Sequence, residues 1–445
     1  METRNVNYEI PGPRRYNINF QEICNWLGIL MYDYGNWFLS KLNEFNRLYL
    51  QRVCNFQLTP SADSNSLEKI SQTRDWKNAT VRCIEFHPNC VMMAVVTNKD
   101  TVLIYDEKCG SPASLQSFQQ KDIACASFRP WSQGCELAVG CSMGIFLWRQ
   151  TRHSNGAHNI RHMMGPHNLE ILQDEGHTYV TCLQWNEDGT ILLSAALGSS
   201  NIVMWEPDRR EKIHLFPVFS RVSSISLLRF SPDFLFCASC EEGGVFCLMN
   251  RSKPWKSEEV LQQGHIQTAV WTICSKYLLF AKEGDTQVYS LTNDAEASIF
   301  LCPKLNWIQE TLIDLHVVTT CSGQQRICGE PQSFAMDPLG IYMAVLFKEQ
   351  SFVLLCLLVN KRQGSLKILP IEFITCDAGG DQYPTCIGFG KSRKEDPEIR
   401  CLMIGWNMGH LQRYFVTTES LQETKKIHNI QFKGNPKERG TFYYK

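Results

Sequence analysis

The chain has 445 residues, 44% hydrophobic and 11% aromatic, which suffices for a large core and excludes global disorder. Its formal charge is −1, from 44 basic and 45 acidic residues, so no broad nucleic-acid footprint is expected. Twenty cysteines would suit a secreted disulfide scaffold, but the N-terminus METRNVNYEI has no apolar leader, and Cys83, Cys182, Cys247 and Cys356 fall inside apolar runs. A reducing compartment is therefore the expectation.

Residues 18–54 carry a helical period. Ile23, Leu27, Leu30 and Tyr34 step by four and three, and Phe38, Leu42, Phe45 and Tyr49 repeat the pattern. Gly35 reads as a stop and Asn36 as a cap, so two helices are predicted, over 18–33 and 37–53. Glu22, Asp33, Lys41, Glu44 and Arg47 interrupt the apolar face, which argues against a bilayer span. Trp26, Trp37, Phe38, Phe45 and Tyr49 make a dense aromatic stripe and are the candidate partner-binding residues. Two readings stand: the helices cover the rim of the following domain, or they present the stripe to a protein or membrane surface. The two are compatible on opposite helix faces. Residues 55–65 are a polar linker, and 1–65 forms an N-terminal extension. Ser66–Ile70 is predicted to be a short strand that closes the next domain at the outer edge of its last sheet, beside Leu411–Val416.

From Val81 the same phrase returns seven times. An apolar strand ends in an aromatic or Met anchor, a polar turn follows, then a small apolar strand and a third apolar run. The anchors are Phe86, Phe128, Trp185, Phe230, Trp271, Met336 and Phe389. A repeat of about 40–45 residues with three or four strands is the pattern of a β-propeller blade. An all-β, seven-bladed WD40-type β-propeller with a short N-terminal α-helical extension is therefore predicted, its blades over residues 66–416.

Gly176-His177 and Gly264-His265 stand where WD repeats place Gly-His, and Trp148-Arg149 and Trp205-Glu206 where they place Trp-Asp. The third unit has His177, Ser194 and Trp205 but Ser199 or Asn201 in place of the Asp. A half-satisfied buried network is costly, so packing is expected to replace it.

Two insertions account for long intervals. Residues 151–176 contain His153, His158, His162 and His167 without an acidic or Cys partner at firm spacing, so metal binding there is not expected. In 292–330, Trp307-Ile308 and Leu312–Val318 suit an outer strand or an extra hairpin, and Cys321–Arg326 a surface loop and candidate partner site. The tail 417–445 is polar and mildly basic, with Ile427, Ile430 and Phe432 as candidates for a last strand. Cys237-x-x-Cys240 lacks a second pair at zinc spacing. No phosphate loop, zincin, nucleophile elbow or kinase pattern occurs. The expectation is thus no enzyme, no cofactor and no metal.

The chain resembles the Aladin family of WD-repeat nucleoporins. The likeness is carried by Asp75-Trp76 with VRCIEFHP and TVLIYD, by SFRPWSQGCELAVGCSMGIFLW, by GHTYVTCLQWNEDGTILLSAA with IVMW, and by LLRFSPD, TAVWTICSKYLLFAKEGD and SFAMDPLGIYMAVLFK. It includes the aromatic lead with Trp26 and Trp37 and spans residues 18–416. The resemblance implies a non-enzymatic scaffold of the nuclear pore complex, at the nuclear envelope and, in mitosis, at spindle poles. It implies other nucleoporins as partners, among them a transmembrane one. Membrane association would then be indirect, with no direct nucleic-acid contact. A generic WD40 adaptor, such as a ubiquitin-ligase substrate receptor, is the alternative within the same fold. A propeller hydrolase is the alternative from another class.

Overall fold

In the computed structural model the chain divides into two compact units, Met1–Pro60 and Ser61–Lys445. The described residues are 64–106, 111–132, 135–149, 169–199, 201–215, 224–232, 236–240, 245–249, 257–261, 264–293, 307–360, 366–391, 399–417 and 441–442. The predicted helices at 18–33 and 37–53, and with them Trp26, Trp37, Phe38, Phe45 and Tyr49, lie outside these residues, as do His153, His158, His162 and His167.

Among the described residues there are seven four-stranded antiparallel sheets and one two-stranded hairpin. The innermost strands of blades 1 to 7 are Val81–Phe86, Cys125–Phe128, Val180–Trp185, Ile225–Phe230, Ile266–Trp271, Pro331–Met336 and Pro384–Lys391. Every sequence anchor therefore falls on an innermost strand, six of them at its last residue. Each inner strand packs against its neighbours in ring order, and blade 7 returns to blade 1. The insertions resolve into architecture: Leu169–Leu172 is the outer strand of blade 2 and Trp307–Asp314 that of blade 5. Val317–Thr319 and Gln325–Ile327 form the extra hairpin before blade 6.

Strand sequences match their depth. The second strand of blade 3, Leu192–Ala196, is buried along its whole length, and the small residues Ser194, Ala195 and Ala196 fit the crowded inner ring. Its outer strand Glu211–Leu215 is exposed at four of five positions and reads EKIHL. Buried apolar side chains form seven clusters, one at each seam between adjacent blades. The 7–1 seam joins Val81, Ile84, Met93 and Val95 to Cys386, Met403 and Leu411. The core is thus a ring of equivalent interfaces, and each blade is stable only between two others.

The anchors act across these seams. Trp185 donates its indole N–H to the Ser127 carbonyl at 3.2 Å, and Trp271 donates to Arg229 at 3.2 Å. Phe86 lies over blade 7 where Gly390 leaves room; a Cβ there would meet its ring at 2.1 Å. A β-bulge recurs at the start of the inner strand in blades 1, 3, 4, 5, 6 and 7. Such a bulge re-aims one side chain without ending the pairing.

The predicted closing strand is corrected. Ser64–Ile70 is an α-helix, with Leu67 and Ile70 buried. Their three-residue spacing puts both on one helical face, but two apolar positions in so short a run do not separate helix from strand in the sequence. The outer edge of blade 7 beside Leu411–Thr417 is occupied by Thr441–Phe442. This final strand lies beyond Ile427, Ile430 and Phe432, which fall outside the described residues.

Candidate interaction surfaces

The helix Ser64–Ile70 and the segment up to Thr80 form a strap over one mouth of the central channel, whose lining includes Leu67, Ile70 and residues of inner strands from blades 1, 2, 3, 4, 6 and 7. Backbone and side-chain bonds fix the strap at many points. Gln332 of blade 6 donates to the Ser71 carbonyl at 3.0 Å, and Arg229 of blade 4 donates to Gln72 Oε1 at 2.6 Å. The Arg74 N–H donates to Thr385 of blade 7 at 2.9 Å, and its guanidinium binds the Gln350 carbonyl and lies 4.3 Å from the Tyr383 ring centroid. Trp76, 1% exposed, donates to the Ile123 carbonyl in the link to blade 2, and Arg82 stacks on it at 3.9 Å. Asp75, held at φ 51, accepts from the Tyr383 hydroxyl at 2.6 Å.

Below the strap the channel has a volume of about 340 Å³. Glu85 is the one carboxylate among its described lining residues, and no histidine lines it. Burial pushes the Glu85 carboxyl up to about 8, with the Arg229 charge pulling the other way. Cys83, Cys125, Cys182 and Cys386 also line the channel, and burial raises every one of these thiols. Neutral thiols are poor nucleophiles and poor ligands. Cys237 and Cys240 both lie on the blade 4 strand Phe236–Cys240.

The expectation that packing replaces the WD network is corrected in blade 3. His177 Nε2 lies 2.7 Å from Ser194 Oγ, which also accepts from the Trp205 indole at 2.7 Å. Three of the four network positions suffice because one hydroxyl serves both rings. Burial lowers His177 to about 4, so the ring is neutral. Blade 2 substitutes an amide: Gln120, fully buried, accepts from Trp148 at 3.0 Å and donates to the Asp100 carbonyl. Blade 5 uses His265 differently, bonded to Ser226 of blade 4 and to Glu283.

Both ring faces carry exposed apolar side chains, with Phe118, Met143 and Met408 on the strap side. First strands all run the same way, so the turns joining first to second strands share the face opposite the strap. That face carries Trp131, Ile273 and Leu339 as exposed apolar side chains. Trp131 is 68% exposed and sits at φ 52, a left-handed backbone that L side chains resist. Its turn is braced. Its N–H donates to Asn89 Oδ1, and the preceding Arg129 pairs with Glu136 at 3.0 Å and with Asp208. Arg129 also donates to the Gly189 carbonyl at 2.6 Å and lies over Trp185. A strained, exposed tryptophan on a rigid support has the form of an interface anchor. The sequence phrase Arg129-Pro130-Trp131 marks a turn, but only the assembled ring shows that the ring of Trp131 points outward. The strap side carries a polar cavity of about 510 Å³ between Lys69, Arg74, Glu283, Gln332, Lys348 and Glu349. Among the described residues no helix is long and apolar enough to cross a membrane.

The sequence matches the family described as the Aladin seven-bladed propeller over residues 62–416. The chain belongs to that family. The matched region begins just before the strap helix and ends in the third strand of blade 7, so the strap falls within the family's domain. The β-propeller domain of Cps50 (Swd1) from Myceliophteria thermophila is similar in fold, with a TM-score of 0.52 at 14% identity. That alignment covers 76% of this chain and 97% of the other. At this identity the likeness concerns the fold.

Proposed function

We propose that this protein is a non-enzymatic scaffold nucleoporin, an interaction platform of the nuclear pore complex that supports nucleocytoplasmic transport and has a second role at mitotic spindle poles. Membership of the Aladin propeller family carries this reading. A ring fixed by a strap and seven buried seams gives it a physical basis, because rigid display lowers the ordering cost of binding. Its partners are other nucleoporins, including a transmembrane one that holds it near the pore membrane without a span of its own. A channel with a single carboxylate among its described lining residues, and neutral thiols, is in keeping with binding rather than turnover. The aromatic stripe Trp26, Trp37, Phe38, Phe45 and Tyr49 is the membrane-proximal contact.

Imaging of the tagged chain against a pore marker tests the reading. A punctate nuclear rim that survives detergent extraction is expected, and Trp37→Ala with Phe38→Ala is expected to weaken it while the propeller stays folded. A diffuse signal from the folded wild-type chain would overturn the pore assignment in favour of a soluble adaptor. Unchanged rim staining of the double variant, in cells depleted of the native copy, would overturn the role of the stripe alone.

A further inference from the structure

At the seam between blades 6 and 7 three side chains converge as metal donors. Cys376 and Asp377 follow the outer strand Leu366–Thr375 of blade 6. His410 ends the turn that enters the strand Leu411–Thr417 of blade 7. One ligand atom from each of the three lies within 4.8 Å of the others. His410 Nε2 is 2.7 Å from Asp377 Oδ1, and the two side chains are 4% and 14% exposed. The imidazole Nε2 is thereby held at the Asp377 carboxylate, with the Cys376 thiol in the same cluster.

The chain folds back immediately after Cys376 and Asp377. Gly379 and Gly380 make the fold-back with φ of 73 and 76, a conformation that a side chain would strain. The turn keeps the thiol and the adjacent carboxylate in one cluster with His410.

We propose that Cys376, Asp377 and His410 bind a zinc ion, with three protein donors and solvent in the fourth position. The donor set selects the metal: thiolate and imidazole favour zinc, whereas magnesium and calcium demand oxygen ligands. Zinc bonds of about 2.0–2.3 Å put any two ligands roughly 3–4 Å apart. The Asp377–His410 pair opens slightly to reach that spacing, and the sulfur closes in by about 1 Å or less. On binding, the Cys376 thiol releases its proton to solvent, and His410 carries its remaining proton on Nδ1. The ion would then clamp the exit of blade 6 to a turn of blade 7, close to where the ring closes.

The test uses the full-length chain, stripped with chelator, with its fold checked by circular dichroism. Zinc chloride is titrated by calorimetry, and cobalt(II) is used as a spectroscopic probe. One equivalent is expected, with a near-ultraviolet thiolate-to-cobalt absorption band and a higher melting temperature in zinc. Cys376→Ser should lose the band and weaken zinc binding by about tenfold or more, the least expected when a donor to the ion itself is removed. His410→Gln should weaken binding similarly, whereas Cys274→Ser, at an exposed thiol elsewhere, should change nothing. No thiolate–cobalt band in the folded wild type would overturn the proposal. So would an unchanged band and stoichiometry in Cys376→Ser, which would place the metal on other cysteines.

Discussion

Thr385 donates its hydroxyl to the carbonyl of Val81 at 2.8 Å, across the seam where blade 7 meets blade 1. The two residues are 304 positions apart, and each begins or nearly begins an inner strand at a bulge. Thr181 makes the same bond to Ile225 at 2.8 Å between blades 3 and 4. Thr385 is fully buried, so this bond closes the ring in a place water does not reach. No strand is shared between the first and last blades among the described residues. Closure rests on this bond, on the apolar 7–1 seam and on the strap.

Thr385→Val should leave the Val81 carbonyl only the weak Cys386 thiol donor at this seam and destabilise the propeller by about 1–2 kcal/mol. Thr385→Ser should restore most of the loss. Denaturant unfolding of both variants decides it; equal midpoints for Thr385→Val and wild type would show that the seam closes without the hydroxyl.

Trp76→Ala should be more damaging, by about 3–5 kcal/mol, because a fully buried indole leaves the strap and Arg82 loses the surface it stacks on. A chain beginning at Val81 should fail to give a cooperative melt. A soluble truncation with the parent melting temperature would refute the strap as the closing device.

Ser194→Ala should cost about 2–3 kcal/mol, since both His177 and Trp205 lose their acceptor or donor in a buried site. His177 also sets a pH dependence. Its folded value of about 4 lies below the ordinary 6.5, so between these values the unfolded chain binds more protons. Stability is full above pH 6.5 and falls as pH drops toward 4, by an amount on the order of 3 kcal/mol. His177→Gln should flatten that limb of a melting-temperature profile.

Glu85 has the opposite sign. Its folded value of about 8 lies above the ordinary 4.5, so the native state holds the extra proton and stability is lost as pH rises from 4.5 through 8. Glu85→Gln should therefore stabilise the protein at pH 7.5, by about 1–2 kcal/mol given that the channel only half-buries the side chain. The gain should vanish near pH 4.5. A variant less stable than wild type at pH 7.5 would mean that attraction to the Arg229 charge outweighs desolvation.

Trp131→Gly should keep or raise stability, by up to about 1 kcal/mol, because glycine relieves the left-handed backbone and little buried area is lost. If the face opposite the strap carries an interface, the same variant should recover fewer pore components in a pull-down from cells. Undiminished recovery would remove Trp131 from the candidate surface.

The sequence by itself determined the blades. Alternating or fully apolar runs, turn residues and an anchor that recurs every blade are local patterns, and six of the seven inner strands end at their anchor. Seven repeats then dictate a closed ring, since a blade buries its faces only against two neighbours. Sequence also found His177, Ser194 and Trp205, but not that one hydroxyl would join them, because hydroxyl geometry depends on the packed sheet. The tertiary structure alone decided how the ring closes. Leu67 and Ile70 gave too short a run to distinguish helix from strand, and the burial that makes the helix comes from distant inner strands. The same holds for Thr385 with Val81 and for Cys376, Asp377 and His410. Their partners are remote in the chain, and only the circular order of the blades brings them within bonding distance.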